Sequence, residues 1–276
     1  MIDVIVTDLD GTLLELESYS LAPTEATARA ALAAGVPIIF CSSKTRAEQR
    51  YYQRLLDLHA PFIVENGSAI VIPKGYFELP FRFDTEDDDA YIIELGCQVA
   101  VIREQLEHAC NDLSCTCLGY DSLSLKEICE LTGLAEDAAA RASQRDYSET
   151  ILFTNASEPV LENLQMQLAE VGLESVRGSR FYTITGQGAN KGLAVRRLLE
   201  LFQQHYDAIH SIGLGDGAND LPMLAEVTEG YLVQKPDRTW TNAGDADICY
   251  ISAVGPLGWS QVIQGHLERR SKINLS

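Results

Sequence analysis

Short apolar runs rich in β-branched residues alternate with helical patterns at both ends of this 276-residue chain, and the stretch between them keeps a different rhythm. Such alternation predicts a parallel sheet with helical crossovers. Ile2-Asp3-Val4-Ile5-Val6 reads as a strand. The run from Pro23 to Gly35, with a proline start, good helix formers and a terminal glycine, reads as a helix. Residues 36–41 give a second strand, and residues 44–60 a helical period with Leu55 and Leu56 facing inward. Residues 61–64 give a third strand, after which Asn66-Gly67 turns the chain into a hairpin with residues 69–72. Near the C-terminus the pattern resumes. A helix is expected over 190–206 with Leu193, Leu198, Leu199 and Phe202 inward, then a strand over 209–214, a helix over 218–227, a strand over 230–233 and a closing helix over 256–267.

The intervening rhythm mixes helices and hairpins. The acidic run at 84–89 (DTEDDD) reads as a solvated linker, followed by a long helix over 91–110 and a short segment near 114–118. Helices are expected over 124–131, 135–144 and 158–171, with strands over 149–153 and 181–185. The expected architecture is therefore α/β: a doubly wound parallel-sheet (Rossmann-like) core made of residues 1–82 and 187–276, interrupted by an inserted α+β cap over residues 83–186.

Charge narrows the function classes. Forty acidic against 21 basic residues leave −19, which repels nucleic acid and anionic membrane surfaces. An anionic substrate would then need a local cationic pocket or a metal. No apolar run approaches the ~20 residues of a membrane span, and the N-terminus lacks the basic start of a secretory signal. Seven cysteines, an odd number in a chain too large to need staples, predict reduced thiols and a cytoplasmic setting. Cys115 and Cys117 lack the spacing and the second pair of a zinc site and read as ordinary thiols. The sequence specifies no oligomeric state.

The chemistry concentrates where strands end. Asp8-Leu9-Asp10-Gly11-Thr12 follows the first strand directly, and in an open α/β sheet ligands bind beyond the carboxyl ends of the strands. Asp8 and Asp10, two apart in extended chain, can face one site. Two carboxylates so close are costly unless a cation or a shared proton relieves them. Gly213-Leu214-Gly215 has the wrong spacing for a dinucleotide fingerprint. Lys191 opens a helix, where a cation is mildly unfavourable, which points to use rather than surface decoration.

DLDGT resembles the first motif of the haloacid dehalogenase superfamily of phosphotransferases, and three further pieces match in order. Ser42-Ser43-Lys44-Thr45-Arg46 follows the second strand, Lys191 opens the helix after the insert, and Gly215-Asp216-Gly217-Ala218-Asn219-Asp220 follows a buried strand. The resemblance implies a Mg²⁺ held by Asp8, Asp10 (through its backbone oxygen) and Asp216, with Asp220 orienting Lys191 or a metal-bound water. It implies that Asp8 attacks phosphorus to form an aspartyl-phosphate, while Asp10 protonates the leaving alkoxide and later activates water. Ser42, Ser43 and Lys191 would neutralise the phosphoryl oxygens. Glu65 and Asn219 stay open between turn chemistry and site.

Within that superfamily SSKTRAE resembles the mannosyl-3-phosphoglycerate phosphatases, as do FIVENG at 62–67, LTGL at 131–134, RDYSE at 145–149 and GSRFY at 178–182. The implied partner is a small phosphorylated glycosylglycerate, hydrolysed to glycosylglycerate and phosphate. Lys44, Arg145 and Arg180 are then candidates for its carboxylate, and Asp146 or Glu149 for its hydroxyls, with the cap hinged near Asp84 and Gly186. Mannose and glucose differ at one hydroxyl, so the glucosyl substrate stays open, with a broader sugar-phosphate phosphatase more distant. A halide-removing enzyme would need neither Asp10 nor Asp216 for a metal. A degenerate acidic binding protein would have no reason to keep Asp8, Asp10, Lys191 and Asp216 together.

Overall fold

The structure, a computed structural model, describes residues 2–78, 80–153, 157–177 and 181–274. The chain opens with β1 (Ile2–Thr7), α1 (Ala22–Ala33), β2 (Ile38–Phe40), α2 (Arg46–Leu56), β3 (Phe62–Val64), β4 (Ala69–Pro73), β5 (Thr85–Glu86) and β6 (Ala90–Glu94). The insert follows with α3 (Val99–Asp112), β7 (Cys117–Gly119), α4 (Leu125–Thr132), α5 (Glu136–Ala142), β8 (Ser148–Phe153), α6 (Glu158–Glu170), β9 (Leu173–Arg177) and β10 (Tyr182–Gly186). The chain then returns through α7 (Lys191–His205), β11 (Ile209–Gly215), α8 (Leu221–Leu224), β12 (Glu229–Gln234), β13 (Cys249–Val254) and α9 (Gly255–Asn274).

A five-stranded parallel sheet runs in the order β13-β12-β11-β1-β2. The chain leaves β1 toward β2 and later returns on the other side through β11, so the topological switch lies between β1 and β11, where ligand crevices form. Both faces of the sheet are covered. Ile5, Ile38 and Phe40 pack with Ala28, Ala31, Trp259 and Ile263 from α1 and α9 on one side. Val4, Val6 and Ile39 pack with Val195, Leu198 and Phe202 from α7 on the other. β3 is tied to the end of β2 by a parallel bridge between Cys41 and Ile63, and starts an antiparallel sheet in the order β3-β4-β6-β5. The insert has its own antiparallel sheet, β7-β8-β10-β9, with Ile102 and Leu106 of α3 and Leu164 and Leu168 of α6 packed on it.

Several local expectations are corrected. Residues 91–94 are strand rather than helix: Ile92 and Ile93 pair with Val71 and Ile70, and β-branched residues gain more from that pleated surface than from a helix turn. The acidic run is no free linker. Asp87 accepts the backbone N–H groups of Asp89 and Ala90 in the β5–β6 turn, and Arg46 and Arg50 of α2 pair with Asp87 and Asp89. Hydrogen bonding from Arg46 holds the Asp87 carboxyl well below the usual range. Residues 85–94 thus pack with the core strands, although the sequence put them beyond a boundary near 83. Leu55 is 43% exposed and Leu193 38%, since Leu56 and Ala194, one residue further on, take the buried faces. Residues 218–227 form one 3₁₀ turn and the short α8 instead of a full helix. β9 and the edge strand β13 were not foreseen.

Candidate active site

Asp8 is held rigidly by its neighbours in the sheet. Its backbone N–H donates to Leu214 O at 2.9 Å, and its carbonyl accepts from Thr7 Oγ1, which in turn accepts from the buried Trp259 indole N–H at 3.1 Å. The following turn needs glycine twice over. Gly11 has φ +76°, and a Cβ there would stand 3.0 Å from Asp216 Oδ2. The first and last acidic motifs therefore meet, with Thr12 Oγ1 donating to Asp216 Oδ1 at 3.4 Å.

Lys191 reaches the same point from the first turn of α7 and is 1% exposed. Its Nζ donates to Asp8 Oδ1 and to Asp220 Oδ1, both at 2.6 Å. The other oxygen of Asp220 accepts the backbone N–H groups of Asp216 and Gly217 at 3.0 and 2.9 Å. Asp220 thus positions both the lysine and the motif loop. The turn before β4 presses against this helix start: a Cβ on Gly67, φ +92°, would fall 2.2 Å from the Asn190 carbonyl. Burial alone would push the Lys191 ammonium toward neutrality, but Asp220 and Asp8 outweigh it and hold the pKa above its usual value. Asp8 is raised well above the carboxylate range, first by burial, against the pull of Lys191. Asp216 is raised to about 6, by burial and then by Asp220.

Asp10 faces a second cation. Lys44 Nζ lies 3.1 Å from Asp10 Oδ2 and 3.4 Å from Glu48 Oε1, with the Tyr19 ring 4.4 Å away. Burial raises the Asp10 carboxyl, opposed by Lys44. Ser42 is fully buried, and its Oγ accepts the Lys44 backbone N–H at 3.3 Å; Ser43 is half-buried beside it. Lys44, Glu48 and Tyr19 line a cleft of about 560 Å³ whose far wall is Leu134, Ala135 and Arg141 of the insert. Arg141 was not singled out from sequence. Its carbonyl accepts from Thr45 Oγ1 at 2.8 Å and its guanidinium lies 4.2 Å over the Tyr51 ring. The Tyr51-Tyr52 doublet on α2 was the available signal.

Glu65 is fully buried, and its placement resolves the choice between turn and site. It leaves the core at positive φ and accepts the backbone N–H groups of Asp146 and Tyr147, at 2.9 and 3.1 Å, and the Ser148 hydroxyl. It is a docking group between core and insert. Asn219, exposed, donates to Asn66 Oδ1 at 3.1 Å and braces the motif loop against the neighbouring turn. Arg145 donates to Ser148 Oγ at 2.8 Å and its guanidinium lies 5.8 Å from the Tyr120 ring. Glu149, expected to take a substrate hydroxyl, is a correction. The alternation of β8 turns it away from the Glu65 side, where Ser148 points. Its side chain is 1% exposed and already accepts from Arg103 Nε at 2.6 Å and from the Tyr120 and Thr150 backbone. Arg180 lies outside the described residues.

The acidic cluster fits a hard divalent cation. Asp8, Asp216 and Asp220 each offer an oxygen within 4.8 Å of the others. The buried Asp10 Oδ1 has no hydrogen-bond partner among the described residues. A dication would offset the burial that raises Asp8 and Asp216.

The sequence profile of haloacid dehalogenase-like hydrolases matches residues 2–228. A glucosyl-3-phosphoglycerate/mannosyl-3-phosphoglycerate phosphatase of Methanococcoides burtonii is 35% identical over 274 residues, covering 98% of this chain and 99% of that protein. A mannosyl-3-phosphoglycerate phosphatase of Pyrococcus horikoshii is 39% identical over 234 residues, covering 84% of this chain and 91% of its own. The crystal structure of a haloacid dehalogenase-like hydrolase from Bacteroides thetaiotaomicron shares the fold at a TM-score of 0.65, with 18% identity, over 96% of this chain and 99% of that one. The chain thus belongs to the haloacid dehalogenase-like hydrolases, as a phosphoric monoester hydrolase resembling the mannosyl-3-phosphoglycerate phosphatases.

Proposed function

We propose that this protein is a Mg²⁺-dependent phosphatase that hydrolyses 2-O-mannosyl-3-phosphoglycerate to mannosylglycerate and phosphate through an aspartyl-phosphate on Asp8. The observation that carries it is the buried Lys191 ammonium, 2.6 Å from Asp8, at the switch point of the parallel sheet. The glucosyl substrate is a second reading, favoured by the relative from Methanococcoides burtonii, which is named for both. Asp8, Asp216 and the Asp10 backbone would hold the Mg²⁺, which when bound neutralises the phosphoryl dianion that would otherwise repel the attacking carboxylate. An Asp8 oxygen forms a bond to phosphorus as the phosphorus–glycerate oxygen bond breaks. Asp10, whose burial keeps a proton available closer to neutrality, gives that proton to the departing alkoxide. It then takes a proton from the water that displaces phosphate from Asp8. Lys191, Ser42 and Ser43 face the phosphoryl oxygens, and Lys44 at the mouth of the cleft takes the glycerate carboxylate.

Phosphate release measured over mannosyl- and glucosyl-3-phosphoglycerate and simple sugar phosphates tests this reading. Turnover of the glycosyl-phosphoglycerates should exceed that of the simple esters, and a reversed order rejects the substrate assignment. Chelation should remove activity and Mg²⁺ restore it, with Ca²⁺ a poor replacement because its larger, looser shell misplaces the attacking carboxylate. Asp216→Ala should shift the Mg²⁺ activation curve to higher concentration; turnover indifferent to chelation contradicts the assignment.

The insert must supply the sugar specificity, because apart from Lys44 the core motifs face only the phosphoryl group that every ester shares. Arg145→Ala should lower kcat/KM for the glycosyl-phosphoglycerate by about 2 kcal/mol if the guanidinium meets a charged substrate group. Hydrolysis of a small aryl phosphate should hardly change. Equal losses on both substrates would instead assign Arg145 to holding Ser148 against Glu65.

A further inference from the structure

The amino ends of the parallel strands, at the pole opposite the catalytic cluster, carry a second set of ligating side chains. Asp3 of β1, His210 of β11 and His266 of α9 each offer one donor atom, all within 4.8 Å of one another. Asp3 Oδ1 is 3.2 Å from His210 Nδ1 and 3.5 Å from His266 Nε2. Tetrahedral Zn²⁺ with bonds of about 2.0–2.1 Å sets neighbouring ligand atoms about 3.3 Å apart, so two edges of such a site are already in place. His266 is 7% exposed, and its buried Nε2 has no hydrogen-bond partner among the described residues.

The surroundings suit a ligating imidazole. The far nitrogen of His210, Nε2, lies 3.1 Å from Glu229 Oε1, and Glu229 is itself held by the Tyr231 hydroxyl and by Arg269 at 3.7 Å. A carboxylate behind a histidine takes the proton on the far nitrogen and leaves the near one as a lone pair. His210 Nδ1, the nearer nitrogen, faces Asp3 Oδ1 at 3.2 Å, so a metal held there would take its lone pair while Glu229 accepts from Nε2. The other oxygen of Asp3 pairs with Arg270 Nη1 at 3.1 Å, which fixes the carboxylate and leaves Oδ1 directed at the histidines.

We propose that Asp3, His210 and His266 form a transition-metal site, separate from the catalytic centre, that clips β1, β11 and α9 together. Two imidazoles and one carboxylate select Zn²⁺, Co²⁺ or Ni²⁺ over Mg²⁺, and metal bound only to the folded chain raises its stability.

The test uses the full chain in excess Mg²⁺, which occupies the oxygen-rich catalytic cluster, titrated with Co²⁺ and then Zn²⁺. One equivalent of Co²⁺ should give a visible ligand-field band of a nitrogen-ligated ion, displaced by Zn²⁺, and Zn²⁺ should raise the Tm by several degrees. His210→Gln and His266→Gln should lose the band and the Tm gain while keeping Mg²⁺-dependent phosphate release. Glu229→Gln should weaken Co²⁺ binding by about 10–100-fold, and Asp216→Asn should leave it intact. Absence of the band, its survival in both histidine variants, or its loss in Asp216→Asn overturns the proposal.

Discussion

Asp8→Asn lowers phosphate release by about 10³-fold or more, the scale on which loss of a covalent nucleophile is felt, without unfolding the protein. The amide retains an oxygen for the Lys191 ammonium now 2.6 Å away, so the packing around α7 has no reason to shift. The charge it removes is one that the fold holds at a cost. Burial, opposed by Lys191 and reinforced by Asp220 and Asp10, raises the pKa of Asp8, which means that the ionised carboxylate is less at home here than in the unfolded chain. Above the unfolded pKa that penalty works against folding, so at neutral pH and without metal Asp8→Asn should melt no lower than the parent. Steady-state phosphate release together with thermal unfolding checks both halves. A variant that keeps a tenth of the parent turnover, with deamidation excluded by mass spectrometry, removes Asp8 as nucleophile. A variant that loses both activity and fold shows that Asp8 is structural.

Lys191→Met is expected to fail in both respects. The side chains of Asp8 and Asp220 would lose the cation that both of them grip, and removing one partner of a buried ionic cluster costs about 3–5 kcal/mol. For a chain of this length that is a fall in Tm of about 10 °C in the absence of metal. Activity should drop as well, because the ammonium proposed to meet the phosphoryl oxygens is gone. Lys191→Met combined with Asp8→Asn should recover part of the stability, since one of the two stranded charges is removed, whereas independent sites would simply add. Strict additivity in that cycle, or a Lys191→Met protein as stable as the parent, breaks the link between the lysine and the two carboxylates.

The part of the site that sequence reveals is the part built at strand ends. Asp8, Ser42 and Asp216 each follow a short buried run, and in a parallel sheet that position alone brings them to one edge. The rest depends on contacts between residues far apart in the chain. Nothing in the FIVENG string says that Glu65 reaches residues 146–148 of the insert, because its partners there are chiefly backbone groups with no sequence signature. Lys44 reads as a candidate for the substrate carboxylate, yet nothing in its string shows that Asp10, from the β1 loop, and Glu48, one turn on in α2, already pair with it. Glu149 fails for a related reason: its string is legible, but which face of β8 it takes depends on register, and a one-residue phase reverses the answer. The strand over residues 91–94 was missed because the short apolar run over 90–93 suits a helix or a buried strand equally until the partner strand is known.

The seam at Glu65 also bears on how such an enzyme can change its substrate. Two of the three donors to that carboxylate are main-chain amides, which any residue but proline supplies. In these bonds the joint is indifferent to the side chain at position 146 but not at 147 or 148: the buried Tyr147 ring packs in the core cluster with Phe62 and Val64 and its hydroxyl donates to Glu94 at 2.8 Å, and Ser148 adds its own hydroxyl. A change of the insert's cleft-facing surface that leaves residues 146–148 in place keeps this seam. A foreign insert grafted onto this core must then reproduce the turn at 146–147, the Ser148 hydroxyl, the buried Tyr147 with its bond to Glu94, and the Arg141 contacts with Thr45 and Tyr51.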